Sequence, residues 1–267
     1  MHPVLFELPL KIGGQYLTVH MYGFVVGLGF LAGVYVAFCE ARRTGANPED
    51  VLDLSFWLLL SGLAGARVMY IIVNIRDYLD DPWQLARLWE GGLVWYGGFI
   101  AALAAGWVFI RRRSMNYMRT ADLFMPGVAL GHAIGRLGCL CAGCCWGRES
   151  AAGYPLAIIF TNPEALAPRF VPMHPVQIYE ALGELAIFAV LMIAARRKRY
   201  DGQVMLMYVT LYPILRSITE IYRGDKVRGF LVPGVLSVSQ FISLLVFAAA
   251  VAAQVVMLRR LSKRRGV

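Results

Sequence analysis

Seven long apolar runs, each followed by a polar or basic segment, dominate the hydrophobic pattern of this chain. Each run approaches or exceeds the roughly 20 residues that an α-helix needs to cross a bilayer. The pattern predicts an all-α polytopic membrane protein, in which 1–267 is a single integral membrane domain with seven transmembrane helices. The predicted spans are 19–41, 51–74, 93–110, 121–141, 175–195, 204–222 and 235–258.

Composition supports a membrane protein. Apolar residues make up 58% of the chain and charged residues only 16%, whereas a soluble domain carries about 25% charged residues. Residues 1–18 form a short amphipathic lead without the basic start and small-residue cleavage site of a secretory signal peptide. We therefore expect the first span to serve as the targeting signal.

The distribution of Lys and Arg predicts the orientation. The segments after the first, third, fifth and seventh spans carry 15 of the 26 basic residues, the opposite side carries 8, and three lie within spans. The positive-inside rule then predicts an N-terminus outside and a cytoplasmic C-terminus. Segments 76–93, 145–174 and 223–234 would share the outer side. We expect an interfacial helix or loop at 76–93 and a small extracytoplasmic loop or β-rich lobe at 145–174.

The formal net charge of +9 lies mostly in short basic clusters at the ends of the spans. This placement is typical of contact with anionic lipid headgroups. Membrane lipids are therefore the expected partners of these clusters, and no nucleic acid partner is expected.

The predicted fourth span combines a glycine face with an arginine. Gly127, Gly131 and Gly135 recur every four residues, which leaves one helix face without side chains and allows another backbone to approach closely. Arg136 follows within the same apolar segment. A guanidinium there costs about 2.5–3.5 kcal/mol on insertion scales, and arginine cannot lose its proton. We interpret Arg136 as part of a functional site with an anionic partner.

Polar side chains also recur at helical spacing on two predicted helices, where they share a face. The stripes are His132, Arg136 and Cys139 on the fourth helix, and Tyr212, Arg216, Glu220 and Arg223 on the sixth. One interpretation is packing, with Glu220 neutralising Arg216. The other is that Arg136 and Arg216 bracket a phosphate headgroup, because arginine matches phosphate with bidentate donors.

Other polar residues fall at span boundaries or within spans. Gln177, Glu180 and Glu184 lie along one face of the fifth helix, directly after His174. Asp122 opens the predicted fourth helix, where the helix dipole favours an acidic residue.

The five cysteines leave several interpretations open. Cys39 stands alone, and the other four are Cys139, Cys141, Cys144 and Cys145. This spacing differs from the paired CxxC motifs of structural zinc sites. Packing as small apolar side chains is the main expectation, and a disulfide on the oxidising side is an alternative. Metal ligation is a further alternative, although the expected site contains neither a metal nor a cofactor.

Two glycine-containing motifs near span ends are also ambiguous. Tyr96-Gly97-Gly98 begins the third span, and Tyr22 lies near the start of the first. Each tyrosine fits an aromatic belt at the membrane interface, and Gly97-Gly98 fits close helix packing. Alternatively, these tyrosines and glycines belong to a functional site.

Taken in order, these motifs resemble those of bacterial prolipoprotein diacylglyceryl transferases along nearly the whole chain. The matching motifs are Tyr22-Gly23, Gly97-Gly98, Gly-Arg-Leu-Gly at 135–138, Trp-Gly-Arg at 146–148, His-Pro-x-Gln-x-Tyr-Glu at 174–180 and Arg-x3-Glu-x2-Arg at 216–223.

The resemblance implies transfer of the diacylglyceryl group of phosphatidylglycerol to the lipobox cysteine of a prolipoprotein signal peptide, with release of glycerol 1-phosphate. It also implies a multi-pass protein of the bacterial cytoplasmic (inner) membrane. The residues expected to be catalytic are Arg136, Arg216, Tyr96 and Glu220. Those expected to bind phosphatidylglycerol are Arg136, Arg216, Tyr22, Tyr212, Arg223, Gly97, Gly98 and His174.

Three positions depart from the usual pattern of the resembled family. Tyr96 replaces its usual histidine, Cys139 its usual asparagine and Cys144 its usual glutamate. The general base is therefore open between Tyr96, His132 and His174. Two alternative functions also remain: a carrier that binds phosphatidylglycerol or lipopeptide without chemistry, and a membrane enzyme that uses the cysteines for thiol redox reactions.

Overall fold

The computed structural model describes residues 3–12, 15–76, 92–151, 153–225, 229–232 and 236–264. Within these ranges each predicted span corresponds to one helix, so the prediction of a helical polytopic protein is confirmed. The helices are α1 (Met21–Thr44), α2 (Pro48–Val73), α3 (Trp95–Arg112), α4 (Tyr117–Ala142), α5 (Val176–Arg197), α6 (Gln203–Ile221) and α7 (Val238–Arg264).

Six of these seven described helices are long and apolar enough to cross a bilayer. The exception is α3, which has only 18 residues and ends in Arg111 and Arg112. The interfacial helix or loop expected at 76–93 lies almost entirely outside the described residues.

The N-terminal lead is a β-hairpin. Strand β1 (Val4–Ile12) pairs antiparallel with β2 (Gln15–His20). The backbone N–H of Met21 donates to the carbonyl of Pro3 at 2.8 Å, so the base of the hairpin joins the first residue of α1.

By internal contacts the chain divides into two compact units, Phe38–Thr120 and a larger unit of Met1–Ala37 with Ala121–Val267. In the smaller unit, α2 and α3 pack through glycines. A Cβ added to Gly65 would lie 2.6 Å from the carbonyl oxygen of Gly97, and one added to Gly98 would lie 2.8 Å from that of Gly62. Side chains at these positions would force the two helices apart.

In the larger unit, α1 and α4 meet through a second glycine seam. A Cβ on Gly33 would lie 2.7 Å from the carbonyl oxygen of Gly127, and one on Gly131 would lie 2.8 Å from that of Gly29. The prediction that Gly127 and Gly131 allow a close helix approach is confirmed. Farther along α4, the nearest neighbour of a Cβ on Gly135 is a Val26 methyl group at 4.0 Å.

Helices α4, α5 and α6 share an apolar core. Its buried members are Ala129, Ile187, Leu191, Ala195 and Val204. This core holds the three helices together beside the charged residues described below.

The interpretation of Asp122 as an acid at the start of its own helix is wrong. Helix α4 begins five residues earlier, at Tyr117, and Asp122 is buried. Its carboxylate accepts hydrogen bonds from the backbone N–H groups of Gly202 (2.8 Å) and Met205 (3.0 Å) and from Lys198 Nζ (2.9 Å). Asp122 therefore caps α6, a helix 80 residues away along the chain.

Residues 153–174 form a small lobe with little regular secondary structure. They belong to the segment 145–174, whose extracytoplasmic position stays a prediction. Strand β3 (Ile158–Ile159) pairs antiparallel with β4 (Pro172–Met173), and Phe160, Ala167 and Met173 are buried together. A third short pair, β5 (Phe230–Val232) with β6 (Leu236–Ser237), precedes α7.

Candidate functional site

A buried carboxylate, Glu180 on α5, lies among three arginines. Its Oε2 is 2.8 Å from Nε of Arg136, and its Oε1 accepts a hydrogen bond from Nη1 of Arg216 at 3.2 Å. Nη1 of Arg223 lies 3.6 Å from the same Oε1. Glu220 completes this group through a 2.6 Å ion pair with Nη2 of Arg216. These five residues are called the Glu180 cluster below.

Neighbouring hydroxyl and carboxylate groups hold the cluster in place. Thr219 donates to Oε1 of Glu180 at 3.1 Å, and Nη2 of Arg216 donates to Oγ of Ser239 on α7 at 3.0 Å. Arg223 makes a bidentate contact with Asp225, at 3.0 and 2.9 Å. Burial raises the pKa of the Asp225 carboxyl above its ordinary value, although Arg223 acts in the opposite direction.

His132 connects the cluster to a second buried carboxylate. Its Nδ1 lies 2.7 Å from Oε1 of Glu184, and its Nε2 accepts a hydrogen bond from Nε of Arg136 at 3.2 Å. Both ring nitrogens of His132 therefore contact charged neighbours. The Tyr212 ring lies beside His132, with centroids 5.3 Å apart.

The cluster lies at a similar depth on three helices. Arg136 is six residues before the end of α4, Glu180 four residues after the start of α5, and Arg216 five residues before the end of α6. At 1.5 Å per residue these positions are about 6–9 Å below the helix ends. These three charged residues thus meet at one level, close to the end of the bundle.

The two predicted arginines therefore come together around one carboxylate. The ion pair between Arg216 and Glu220, which the packing interpretation of the sixth helix predicted, is also present. Each guanidinium has five N–H donors, and the contacts described above use only some of them. Among the described residues, the buried Nη1 of Arg223 has no hydrogen-bond acceptor. The group can consequently donate to an anionic ligand as well as to its own carboxylates.

Tyr22 and His174, both predicted from the sequence, occupy different surroundings. Cδ2 of Tyr22 lies 3.5 Å from where a Cβ on Gly138 would be, so Tyr22 packs against α4 two residues after Arg136. The ring of His174 lies among the rings of Tyr154 (4.9 Å), Tyr222 (5.3 Å) and Tyr179 (6.4 Å).

Tyr96, Gly97 and Gly98 lie at the start of α3 in the smaller unit. The two glycines provide the close approach of α2 and α3, as the packing alternative requires. Tyr96 is exposed, and its ring makes an edge contact with Trp95 at 5.3 Å. Their roles in lipid binding or catalysis remain predictions.

The Trp-Gly-Arg motif positions Arg223. The backbone N–H of Arg148 donates to the carbonyl of Tyr222 at 2.7 Å, and that of Gly224 donates to the carbonyl of Trp146 at 3.1 Å. A Cβ on Gly147 would collide with the carbonyl oxygen of His174. The motif thus joins the end of α6 to the segment that leads into α5.

Three of the four clustered cysteines come together around the end of α4. The Sγ atoms of Cys139, Cys144 and Cys145 all lie within 4.8 Å of one another. The turn between them includes Gly143 at φ +68° and Cys145 at φ +58°. Thiol hydrogen bonds from Cys139 and Cys144, followed by the charges of Arg223 and Arg136, lower the pKa of Cys145. None of the three forms a disulfide.

Sequence reasoning did not assign Glu180, Glu184 or Thr219 to the site. The signal for the two glutamates was present, since they follow Gln177 along one face of an apolar helix. The Gln177 side chain donates to the carbonyl of Cys144 at 2.9 Å, so this face is oriented toward the cysteine turn. Thr219 has no comparable signal, because threonine is common in helices that face either lipid or protein.

Comparison with known proteins shows similarity along most of the chain. A family model described as prolipoprotein diacylglyceryl transferase matches residues 6–256. A phosphatidylglycerol–prolipoprotein diacylglyceryl transferase of Clostridium tetani is 34% identical over 245 residues, which cover 91% of this chain and 93% of the relative. Proteins of the same name from Finegoldia magna and Legionella pneumophila (strain Paris) are 33% and 31% identical, over 90% and 91% of this chain and 91% and 92% of their own lengths.

Proposed function

Because this chain belongs to the prolipoprotein diacylglyceryl transferase family, we propose that the Glu180 cluster is the site of its reaction. The protein is a membrane enzyme that transfers the diacylglyceryl group of phosphatidylglycerol to a prolipoprotein. The observation that supports this location is the meeting of Arg136 and Arg216 at one buried carboxylate.

The arginines act on the phosphate of phosphatidylglycerol. The thiolate of the lipobox cysteine in the signal peptide attacks the glycerol carbon that bears the phosphate. The carbon–oxygen bond breaks, and its electron pair leaves with glycerol 1-phosphate. Arg136 and Arg216 stabilise the negative charge that develops on the departing phosphate ester, and their donors are already oriented before the reaction begins.

His132 orients Arg136. Both of its ring nitrogens are engaged, one by Glu184 and the other by Arg136. Glu180 and Glu220 act in the same way on Arg216, holding its planar guanidinium toward the cluster. Tyr212 packs beside His132, Arg223 belongs to the cluster, and Tyr22 packs against α4 two residues after Arg136.

We infer that this site lies near the outer face of the bacterial inner membrane. With α3 as the third of seven spans, the excess of Lys and Arg after the first, third, fifth and seventh spans favours an outer N-terminus and a cytoplasmic C-terminus. The ends of α4 and α6 and the start of α5 then face outward. Interfacial headgroup regions occupy the outermost 5–8 Å or so of each leaflet, which matches the depth of the cluster.

The substitution Arg136→Lys tests the assignment. Lysine retains the charge but cannot make bidentate donation to phosphate. We expect transfer to fall by about 100- to 1,000-fold, the usual effect of removing one donor that stabilises transition-state charge. The measurement is transfer of labelled phosphatidylglycerol to a lipobox peptide by the purified protein.

Arg113→Lys is the matched control, because Arg113 is exposed and pairs with Asp50 and Asp53 in the smaller unit. Its transfer rate should equal that of the wild type. Near-normal labelling by a folded Arg136→Lys protein would remove the phosphate role of this arginine. A carrier without chemistry, or a thiol-redox enzyme, is not favoured by any comparison, and complementation of a transferase-depleted strain distinguishes both from a transferase.

A further inference from the structure

We propose that Cys139, Cys144 and Cys145 bind a zinc ion whose fourth position receives the thiolate of the substrate cysteine. This inference rests on the proposed function, because it concerns activation of the nucleophile in that reaction. It starts from the three Sγ atoms, which lie within 4.8 Å of one another.

The geometry of the three cysteines suits one metal ion. Sulfurs about 2.3 Å from a tetrahedral zinc are separated by about 3.8 Å. The sulfur separations in this group therefore need to contract by about 1 Å at most, which small rotations about χ1 provide. Thiolates select soft or borderline ions such as Zn²⁺ over Mg²⁺ or Ca²⁺.

The fold presents these side chains together for an identifiable reason. Cys139 is in the last turn of α4, and Cys144 and Cys145 follow a left-handed turn at Gly143. The carbonyl of Cys144 accepts a hydrogen bond from the buried Gln177. The carbonyl of Trp146, the next residue after Cys145, accepts one from Gly224. The turn is thus anchored to α5 and to the segment that follows α6, so the three sulfurs are held close to one another.

The number of ligands indicates a substrate site. Structural zinc sites have four protein ligands, whereas catalytic sites have three and leave one position open. Among the described His, Cys, Asp and Glu residues, no fourth side chain joins this group. Cys141, which lies within the same motif, is not a member.

The location of the group fits activation of the thiol. Cys139 lies one turn after Arg136, and the backbone that follows Cys145 pairs with Arg223 and Gly224. The group is therefore adjacent to the arginines assigned to the phosphate. Tyr22 packs against Gly138, which lies between Arg136 and Cys139 along α4.

Coordination would supply the nucleophile in the ionised form. An ordinary cysteine thiol, with a pKa of about 8.5, is only a few per cent ionised at neutral pH, and a zinc-bound thiol is deprotonated outright. The substrate thiol releases its proton to water when it binds. Its sulfur then forms the new bond to the glycerol carbon as the carbon–oxygen bond breaks, and the zinc ion is neither oxidised nor reduced.

The test begins with the metal alone. Full-length protein is purified in detergent under reducing conditions, loaded with Zn²⁺ or Co²⁺, and freed of excess ion. We expect about one ion per chain and, with Co²⁺, thiolate-to-cobalt charge-transfer absorption. Cys139→Ser, Cys144→Ser and Cys145→Ser should each lose this binding, whereas Cys141→Ser, the matched control from the same motif, should retain it.

The second part examines the substrate thiol. A lipobox peptide should change the cobalt spectrum only when its cysteine is intact, and a Cys-to-Ser peptide should leave the spectrum unchanged. Removal of zinc by a chelator should lower transfer by at least tenfold, and added Zn²⁺ should restore it. The metal readouts do not require activity, so they remain informative if a variant is inactive.

Several outcomes would overturn the proposal. They are failure of the wild type to bind either ion, a disulfide among the three cysteines after purification without reductant, and full transfer by zinc-free protein. In the last case the transferase assignment stands and only the zinc role fails. Metal binding without transfer activity would instead contradict the proposed function while supporting the metal site.

Discussion

At the scale of single residues, the main feature is the concentration of buried charge around Glu180. Breaking a buried ion pair by removing one partner costs about 3–5 kcal/mol, because the remaining charge stays desolvated. Glu180 faces three arginines at once, so its loss leaves several cations unbalanced. Because of the same contacts, the Glu180 carboxylate competes with any other anion for Arg136 and Arg216.

Glu180→Gln should therefore have two opposite effects. The variant should unfold at a lower temperature than the wild type, since about 3–5 kcal/mol of pairing is lost. Phosphatidylglycerol should raise its melting temperature more than that of the wild type, because the phosphate replaces the missing charge. Thermal unfolding in detergent, with and without phosphatidylglycerol, measures both.

The control for this variant is Glu49→Gln, which removes an equivalent charge from an exposed position in the first turn of α2. It should change neither the melting temperature nor the response to lipid. A Glu180→Gln protein that melts normally and responds to phosphatidylglycerol as the wild type does would show that Glu180 does not compete for the arginines.

At the scale of helices, the larger unit depends on contacts that require small side chains or distant caps. The glycine seam between α1 and α4 brings the two backbones together, which is a common way to associate helices where the hydrophobic effect contributes little. The cap that Asp122 provides to α6 joins two elements that are far apart in sequence. The absence of side chains at the glycines sets the distance between α1 and α4, and the side chain of Asp122 fixes the start of α6.

Gly127→Val should disrupt this seam. The added side chain would collide with the Gly33 carbonyl, and backbone shifts caused by overpacking cost about 1–3 kcal/mol. We expect a lower melting temperature and reduced transfer, since α4 carries Arg136.

Gly27→Val on α1 is the matched control, because a Cβ at Gly27 meets nothing within 4 Å. It should unfold as the wild type does. Equal melting temperatures for the two variants would mean that the Gly33–Gly127 approach contributes nothing to stability.

At the scale of the whole molecule, function depends on which end of the bundle faces outward. The Glu180 cluster, the cysteine turn and the lobe at 153–174 all belong to one end of the helices α4, α5 and α6. The proposed reaction uses a substrate thiol at the outer surface of the membrane, so we expect this end of the bundle to be the outer one.

Reporter fusions test this orientation. Alkaline phosphatase should be active when fused after Asn162 in the lobe, and inactive when fused after Ser114 or at the C-terminus. Green fluorescent protein should show the reverse pattern, because it fluoresces when it folds in the cytoplasm. Active phosphatase at the C-terminus would invert the topology and place the cluster at the inner face.

The sequence by itself determined the helices and most of their bounds, because a membrane span needs a long apolar run and that run is visible without any knowledge of contacts. It also indicated the arginines, since a permanent charge in such a run is costly and therefore conspicuous. The glycine face of α4 was predictable from its spacing alone.

Only the tertiary structure decided which groups meet. The shared carboxylate of Glu180, the capping of α6 by Asp122 and the approach of three cysteine sulfurs all depend on distances between residues that are separate in the chain. Helical periodicity fixes the face on which a side chain lies, but not the helix that the face contacts. For that physical reason the sequence supplied the charged residues of the site, and the packing of the helices supplied their partners.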